Sequence, residues 1–292
     1  MPYKNGKEVY NKIIFTEEQL KDIKQSYLNG ESSVKIGKRY GTNHKPILRE
    51  LHNMGVCVDQ KRFVKKYDID ENYFDVIDTP NKAYILGFLY SDGSNNLNKR
   101  TISLSLQEED KSILERIRNE IHSEKPLDYL DYTNKHDFGY TYKNQYRLNI
   151  FNAHMCEELN KKGVVPNKSL VITFPTWIDN CLIHHFIRGI YDGDGSIHQS
   201  FHNDSNKPII VTITATDSFC KELQNICKDK LNINAGIYDA SCHNGITKVF
   251  TISGRNVAKK FLDWIYQDAD LYLERKYNRY CEYYNINNSL LA

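Results

Sequence analysis

The sequence predicts an α+β fold built from two pseudo-symmetric repeats and preceded by a small all-α helix-turn-helix domain. Three observations support this: a helix-like segment occurs twice, alternating strands follow each copy, and three short capped helices begin the chain. Each repeat should run helix-strand-strand-helix-strand-strand-helix, and the two repeats should pack through their first helices. The expected domains are 1–56 for the helical domain, 57–80 for a basic linker, 81–178 for the first repeat and 179–292 for the second.

Three helices are predicted near the N-terminus, each with start and stop signals. Thr16 and Gln19 have the spacing of a capping box, and Gly41 supplies the turn between the last two helices. The predicted signals run from Thr16 to Gly30, from Ser33 to Tyr40, and from the cap Thr42 to Met54. The apolar side chains expected in the core of this domain are Ile36, Ile47, Leu48 and Leu51.

Positive charge is concentrated in this segment. Residues 1–66 hold 14 Lys and Arg against 7 Asp and Glu, a net of +7, whereas the remainder holds 25 against 30, a net of −5. A helix-turn-helix module presents the start of its last helix to the major groove of DNA. The residues then placed for DNA contact are Asn43, His44, Lys45 and Arg49, with Arg62 of the linker, among Lys61, Lys65 and Lys66, along the phosphates. The alternative is a three-helix packing domain whose basic face is merely solvated.

Several classes of protein are disfavoured by composition. The chain has no run of about 18 apolar residues and no apolar signal segment at its polar start, so we expect an intracellular protein, cytoplasmic or nucleoid-associated, with no membrane partner. The 7 cysteines are odd in number and never form a C-x-x-C pair. This argues against a disulfide framework and against a zinc site.

The internal repeat consists of AYILGFLYSDGS at 83–94 and HFIRGIYDGDGS at 185–196, whose aspartates Asp92 and Asp194 lie 102 residues apart. Each copy leads into an alternating strand, at 101–107 or 209–215, and then into a helix, at 110–121 or 217–231. Further strands are predicted around Tyr129 and at 146–150, 236–242 and 247–253, the last two joined by an Asn244-Gly245 turn. The second half is therefore a pseudo-duplicate of the first.

Small residues recur at intervals of four in each repeated helix: Ala83, Gly87 and Ser91 in the first copy, Gly189 and Gly193 in the second. A glycine inside a helix costs roughly 1 kcal/mol relative to alanine, so such a row needs a packing reason. Helices with a stripe of small side chains can approach backbone to backbone. We therefore expect the two repeated helices to pack through Ala83, Gly87 and Gly189.

Each repeated helix also closes on a carboxylate, the unfavourable sign for the negative end of a helix dipole. When the helices pack, Asp92 and Asp194 become neighbours, and like charges resist joint ionisation. A divalent cation removes both penalties, and oxygen ligands of this kind suit Mg²⁺, which supports hydrolysis of phosphodiesters. The alternative is that each Asp-Gly pair is only a turn at a helix end. Two copies with matching downstream strands argue against it.

These residues resemble the motif of the LAGLIDADG homing endonucleases, in the form in which one chain carries both copies. The motif reads ILGFLYSDG at 85–93 and IRGIYDGDG at 187–195, and the resemblance covers about residues 75–285. It implies that Asp92 and Asp194 bind the metal together with the carbonyls of Ser91 and Gly193. The first copy departs from the consensus at Tyr90 and Ser91, and the second at Arg188. These departures leave cleavage plausible but question equal activity on both strands.

The family also has a lysine near the end of each repeat, close to the scissile phosphates. Lys168 and Lys276 occupy those places, 76 and 82 residues after their aspartates, and the resemblance makes them catalytic with Asp92 and Asp194. The alternative for each lysine is ordinary surface charge.

The resemblance implies a monomeric, Mg²⁺-dependent, site-specific endonuclease that makes a double-strand break in a long asymmetric DNA target. Its strands would form a saddle over the double helix, although a solvated polar strand face predicts the same alternation. The candidate contacts are Thr101, Ser103, Ser105, Arg147, Asn149, Thr212 and Thr214. The alternatives are a transcription regulator that binds DNA without cutting it and an intron RNA maturase. An intein would need splice-junction nucleophiles, which a chain from Met to SLLA does not offer.

Overall fold

The computed structural model describes residues 3–4, 7–8, 13–56, 67–133, 136–137, 140–166, 168–199, 208–240 and 247–286. The chain divides into two compact units, Met1–Lys66 and Tyr67–Ala292. Residues from Tyr67 onward belong to the second unit, and Tyr73 and Phe74 are buried in its core. The linker expected at 57–80 is therefore too long, because this apolar pair draws its last part into the fold. Lys61, Arg62, Lys65 and Lys66 lie outside the described residues.

Where the structure describes the N-terminal unit, it contains three α-helices after a short antiparallel pair. The elements are β1 (Tyr3–Lys4), β2 (Lys7–Glu8), α1 (Glu17–Leu28), α2 (Ser33–Arg39) and α3 (His44–Asn53). Thr16 and Gln19 form the predicted capping box. The cap of α3 is Asn43 and not the expected Thr42, because the Asn43 side chain accepts a hydrogen bond from the Lys45 N–H at 2.9 Å. Gly41 has a φ of +65° and makes the turn before it.

The core of this unit lies between the three helices. Its buried side chains are Phe15, Ile23, Tyr27, Ile36, Ile47 and Leu51. Leu48, expected in this core, is only half-buried, because Ile47 and Leu51, spaced four residues apart, carry the inward face of α3. The first helix contributes Ile23 and Tyr27 instead.

The second unit begins with the first repeat. In chain order its elements are α4 (Pro80–Ser91), β3 (Gly93–Asn96), β4 (Thr101–Gln107), α5 (Lys111–Glu120), β5 (Asp128–Leu130), β6 (His136–Asp137), β7 (Tyr140–Thr141), β8 (Gln145–Phe151) and α6 (Ala153–Lys161). Four strands form an antiparallel sheet in the order β3-β4-β8-β5, and β6 pairs with β7 as a separate hairpin.

The second repeat has the same sheet order. Its elements are α7 (Ile183–Asp194), β9 (Gly195–Gln199), β10 (Ile209–Thr216), α8 (Asp217–Leu231), β11 (Gly236–Asp239), β12 (Thr247–Ser253), α9 (Arg255–Tyr266) and α10 (Glu274–Tyr284). The antiparallel sheet runs β9-β10-β12-β11. The turn predicted at Asn244-Gly245 lies outside the described residues. The predicted α+β class is confirmed, with α10 added at the end of the second repeat.

Alternation in the strands separates core from surface as predicted. Ile102 and Leu104 of β4 are buried beneath the sheet, and Val211 and Ile213 of β10 are their counterparts. One apolar core joins the two repeats, with α4 and α7 at its centre. Among the described residues, no helix has both the length and the apolar character needed to cross a membrane.

A candidate active site between the repeated helices

The two repeated helices, α4 and α7, pack backbone against backbone. A Cβ atom on Gly87 would lie 2.1 Å from the carbonyl oxygen of Phe186, and one on Gly189 would lie 2.1 Å from that of Tyr84. Atoms at that distance overlap, so no larger residue fits without moving a helix. Ala83 is fully buried in the same row. This contact brings the ends of the two helices together.

The ends of the helices carry the two predicted aspartates. Asp92 follows α4 and its N–H donates to the Phe88 carbonyl at 3.0 Å, while Asp194 is the last residue of α7. The Asp92 carboxylate lies against the partner helix, because a Cβ on Gly193 would be 3.3 Å from its Oδ2 and 1.9 Å from the Ser91 Oγ. Both aspartates are exposed on one side.

The protein around these carboxylates disfavours their charged forms. Burial, and after it the neighbouring Asp92, raise the pKa of Asp194 to about 6, against the opposing effect of the two lysines. Burial also raises the pKa of Asp92, although nearby lysines oppose the change. Two carboxylates that repel each other in a partly desolvated place are a natural site for a cation.

Both predicted lysines are buried at this site, which contradicts the surface-charge alternative. Lys168 is 8% exposed, and its Nζ donates to the Gly93 carbonyl just after Asp92. Lys276 is 6% exposed, and its Nζ donates to the carbonyls of Tyr191, Gly193 and Gly195 at 2.7, 3.2 and 2.6 Å. Burial lowers the pKa of both ammonium groups, that of Lys276 to about 8.

The four charged groups interact crosswise between the repeats. After burial, which raises the pKa of Asp92, the strongest cation opposing that rise is Lys276 of the second repeat. For Asp194, after burial and Asp92, it is Lys168 of the first repeat. Asp194 likewise acts on Lys168 more strongly than Asp92 does. By charge, each aspartate is therefore affected more by the lysine of the other repeat, whereas each ammonium group donates to main-chain carbonyls of its own repeat.

The oxygen atoms at the site fit a hard divalent cation that keeps part of its water shell. Within the described ranges, no three His, Cys, Asp or Glu side chains cluster as a metal site. Two carboxylates and main-chain carbonyls match Mg²⁺, which protein groups usually hold with only one or two carboxylates. The Gly193 carbonyl accepts from Lys276 at 3.2 Å, which leaves a second lone pair. The Ser91 hydroxyl donates its hydrogen to the Phe88 carbonyl at 3.0 Å.

A buried polar network beneath Asp194 was not predicted from the sequence. Asp192 is 1% exposed and accepts hydrogen bonds from the Tyr84 hydroxyl and the Leu273 N–H, both at 2.8 Å. Arg188 is fully buried and donates to the main-chain carbonyls of Ile265, in the last turn of α9, and Leu271, between α9 and α10. The signal in the sequence was the departure of Arg188 from the motif consensus, and the main-chain partners of this residue lie about 80 residues away.

The polar strand faces form hydrogen bonds within each sheet. Ser103 donates to Asn149 at 2.6 Å, Asn149 donates to Asp128 at 2.7 Å, and Arg147 donates to Ser105 at 2.7 Å. The other predicted contacts are Thr101, which donates to the Lys99 carbonyl at 3.0 Å, Thr212, which shares a 2.8 Å bond with Ser196, and Thr214, half-buried on β10. All seven predicted strand residues lie on the faces opposite the apolar core.

The predicted contacts in the N-terminal unit divide into two groups. His44 and Lys45 are exposed at the start of α3, beside the capping Asn43. Arg49 is already engaged within the unit, because it donates to the Ile13 carbonyl at 2.7 Å and pairs with Glu50 at 2.6 Å. Its guanidinium is therefore less available than those of free surface arginines.

Comparison with known proteins connects the second repeat to a family. Residues 182–266, from the start of α7 to the end of α9, match the model of the LAGLIDADG-like domain. The predicted resemblance is thus confirmed, and the matched segment includes Asp194. A search of curated proteins gives no significant match.

Similar solved structures bear the same family name. The I-LtrWI LAGLIDADG homing endonuclease bound to target DNA is 13% identical, with 74% of this chain and 90% of that chain covered and a TM-score of 0.47. The I-GzeII LAGLIDADG homing endonuclease in complex with its DNA target is 12% identical, with 71% of this chain and 89% of that chain covered and a TM-score of 0.49. The N-terminal LAGLIDADG domain of DUF199/WhiA is 18% identical, with 67% of this chain and 89% of that chain covered and a TM-score of 0.41.

Proposed function

We propose that this chain is a site-specific DNA endonuclease that acts as a monomer and makes a metal-dependent double-strand break in a long asymmetric target. One observation carries the proposal: Asp92 and Asp194 meet at the ends of two tightly packed helices, with the buried ammonium groups of Lys168 and Lys276 beside them. Buried titratable groups with shifted pKa values in such an arrangement are typical of catalytic sites.

The proposed roles follow from the chemistry of each group. Asp92 and Asp194 hold Mg²⁺ with the carbonyls of Ser91 and Gly193. When bound, the cation supplies electrostatic stabilisation of the charge that develops on the scissile phosphate. The two carboxylates also accept hydrogen bonds from attacking water and orient it. Both lysine ammonium groups stabilise negative charge on phosphate oxygens at a site from which bulk water is partly excluded.

Lys276 has a second chemical capacity. Because burial lowers its pKa to about 8, part of the population loses a proton near neutral pH. Its Nζ can then exchange a proton with water or a leaving oxygen, which a surface lysine does poorly. With the crosswise arrangement, we assign one aspartate and the lysine of the other repeat to each DNA strand.

Binding is assigned to the two sheets and the N-terminal unit. The polar faces of β4, β8 and β10 present hydroxyl, amide and guanidinium groups to base edges and phosphates. The N-terminal unit, whose segment 1–66 carries a net charge of +7, adds affinity through His44 and Lys45 at the start of α3.

The test is a cleavage assay on a supercoiled plasmid that carries the joined flanks of the gene's own locus. Wild type should produce linear DNA with Mg²⁺ and none with EDTA, and Asp194→Asn should lose the activity. Asp78→Asn is the matched control, since this exposed acid lies beyond the other end of α4 and should leave cleavage unchanged. Tight binding without a cut, or an Asp194→Asn variant that cuts like wild type, would overturn the proposal. Preferential displacement of the plasmid by RNA would favour a maturase.

A further inference from the structure

The two motif copies differ at their sixth position, where the first has Tyr90 and the second has Asp192. Both side chains are buried, at 3% and 1% exposure. Each one reaches across to the main chain of the segment that carries the lysine of its own repeat. The contacts have opposite polarity, because the acid accepts from an N–H and the phenol donates to a carbonyl.

In the second repeat, Asp192 holds the first turn of α10. Its Oδ2 accepts from the N–H of Leu273, the N-cap of α10, at 2.8 Å. The Leu273 carbonyl in turn accepts from the Lys276 N–H at 3.0 Å. Only one helical turn therefore separates the carboxylate from the main chain of the lysine, and Tyr84 of α4 fixes the same oxygen at 2.8 Å.

Arg188 anchors the chain just before that turn. Its Nε donates to the Leu271 carbonyl at 2.9 Å, and one terminal nitrogen donates to the Ile265 carbonyl at 2.8 Å. The same nitrogen lies 2.8 Å from the Nδ1 of His185. The chain from the last turn of α9 to the N-cap of α10 is thus tied to one helix, α7, at the main chain of Ile265, Leu271 and Leu273.

The Lys276 side chain reaches back from α10 to the end of α7. Its Nζ donates to the carbonyls of Tyr191, Gly193 and Gly195 around Asp194. The ammonium group therefore has a fixed position only while α10 starts where Asp192 and Arg188 place it. A shift of even one ångström would move it away from reacting groups, and such shifts can cost 100-fold in rate.

The first repeat holds the segment before its lysine with Tyr90 and with the buried Asn95, whose Nδ2 donates to the Val164 carbonyl at 2.9 Å. The Tyr90 hydroxyl donates to the Lys162 carbonyl just after α6, and Gly163 allows the close approach because a Cβ there would lie 2.1 Å from the phenol oxygen. The position that matches Arg188 is the buried Leu86. The Lys168 ammonium then donates to the Gly93 carbonyl.

We propose that Asp192 and Arg188 are positioning residues for Lys276, that Tyr90 is a positioning residue for Lys168, and that each set controls cleavage of a different DNA strand. This inference rests on the proposed nuclease function. It assigns a role to the difference between the two motifs. At the sixth position, a hydrogen-bond donor, Tyr90, stands in the first copy and an acceptor, Asp192, in the second.

The test measures the cleavage rate of each strand separately, with saturating enzyme, Mg²⁺ and a duplex labelled differently on its two strands. Lys276→Met defines the strand that this lysine serves. Asp192→Ala should slow the same strand about 10- to 100-fold, the usual cost of losing a group that orients an active-site residue. The other strand should change less than threefold, and nicked plasmid should accumulate.

Two further variants separate positioning from general damage. Asp192→Asn keeps an oxygen that can accept from Leu273, so it should restore most of the rate that Asp192→Ala loses. The double variant Asp192→Ala, Lys276→Met should cut no more slowly than Lys276→Met alone, since both changes act through one group. Equal slowing of both strands, or fully additive effects, would overturn the inference.

Tyr90→Phe is the independent arm and removes only a hydroxyl from the other repeat. It should slow the strand that Lys276→Met leaves intact, and this result is available even if Asp192→Ala does not fold. Slowing of the Lys276 strand by Tyr90→Phe would overturn the inference. Failure of the nuclease proposal is distinguishable from these outcomes, because wild type would then cut neither strand.

Discussion

The ends of the two repeated helices differ in chemistry although they match in shape. Each helix closes on an aspartate whose partly buried carboxylate has a raised pKa, and each aspartate lies beside a buried lysine. Beneath Asp194 the lysine segment is held by a buried arginine and a buried acid. Beneath Asp92 it is held by a tyrosine hydroxyl and an asparagine amide, those of Tyr90 and Asn95.

This difference shows which parts of the site are fixed by geometry and which are free to change. The helix contact is fixed, because neither Gly87 nor Gly189 has room for a Cβ. The support of each lysine is free to change, since an acceptor and a donor can hold equivalent main-chain segments equally well. Two halves that look symmetric should therefore respond differently to substitution.

The largest expected effect comes from breaking the contact that both halves share. Gly87→Ala and Gly189→Ala each place a Cβ 2.1 Å from a carbonyl oxygen of the opposite helix, so we expect each to reduce the free energy of unfolding by about 3 kcal/mol. Urea denaturation measures the change. Gly254→Ala is the control, because the nearest atom to its Cβ would be 3.8 Å away and only its φ of +119° opposes the substitution, at about 1 kcal/mol. Equal losses at all three glycines would contradict the close packing.

The next effect concerns the charge of Asp194 without a metal. Burial and Asp92 raise its pKa to about 6, above its value in the unfolded chain of about 3.9. The folded state binds this proton more tightly, so this group adds stability as pH falls from above 6 towards 4 and opposes folding at higher pH. In EDTA, Asp194→Asn should raise the melting temperature at pH 8 and have little effect at pH 4. A variant that is less stable than wild type at pH 8 would contradict the repulsion.

The crosswise arrangement predicts smaller and specific changes in ionisation. Removal of Lys168 should raise the pKa of Asp194 more than that of Asp92, because Lys168 is the stronger of the two lysines acting on Asp194. Removal of Lys276 should raise the pKa of Asp92 more than that of Asp194. Carbon-detected NMR titration of the carboxylates in Lys168→Met and Lys276→Met measures both. A larger rise for Asp92 in Lys168→Met and for Asp194 in Lys276→Met would contradict this and show that each lysine acts on its own repeat.

The smallest effects are expected on the strand faces. Arg147→Ala should weaken DNA binding about tenfold and reduce the salt dependence by about one phosphate contact, whereas Thr214→Ala should change affinity less than threefold. Arg147 is ordered by Ser105 at 2.7 Å, so its guanidinium is already placed before binding. Fluorescence anisotropy over a range of salt concentrations measures both variants in EDTA. Equal effects of the two would argue against a special role for the first sheet.

Local patterns in the sequence predicted much of this architecture. The spacing of small residues predicted the contact of α4 and α7, and alternation predicted which face of β4 and β10 is buried. Both signals are confined to neighbouring positions, and the repeat supplied an internal check. The cap at Asn43 was missed because Thr42 is an equally good capping residue and only the backbone selects between them.

The parts that were missed depend on long-range contacts. Asp192 accepts a hydrogen bond from the N–H of Leu273, 81 residues away, and no local pattern near either residue predicts this contact. Arg188 stood out as a departure from the motif, but its carbonyl partners Ile265 and Leu271 follow from the path of the chain at the end of α9 and beyond it. The sequence therefore predicted the aspartates and lysines of the site, but it did not predict the buried hydrogen bonds of Asp192 and Arg188 that hold the chain around them.

The most direct test of the account compares Asp92→Asn and Asp194→Asn in single-turnover cleavage of a duplex with both strands labelled, across a range of Mg²⁺ concentrations. Each carboxylate is proposed to hold the cation, so each variant should lose on the order of 10²- to 10³-fold in rate at wild-type DNA affinity. The loss should be partly recovered at high Mg²⁺. Cleavage of both strands at the wild-type rate by either variant would contradict the central claim.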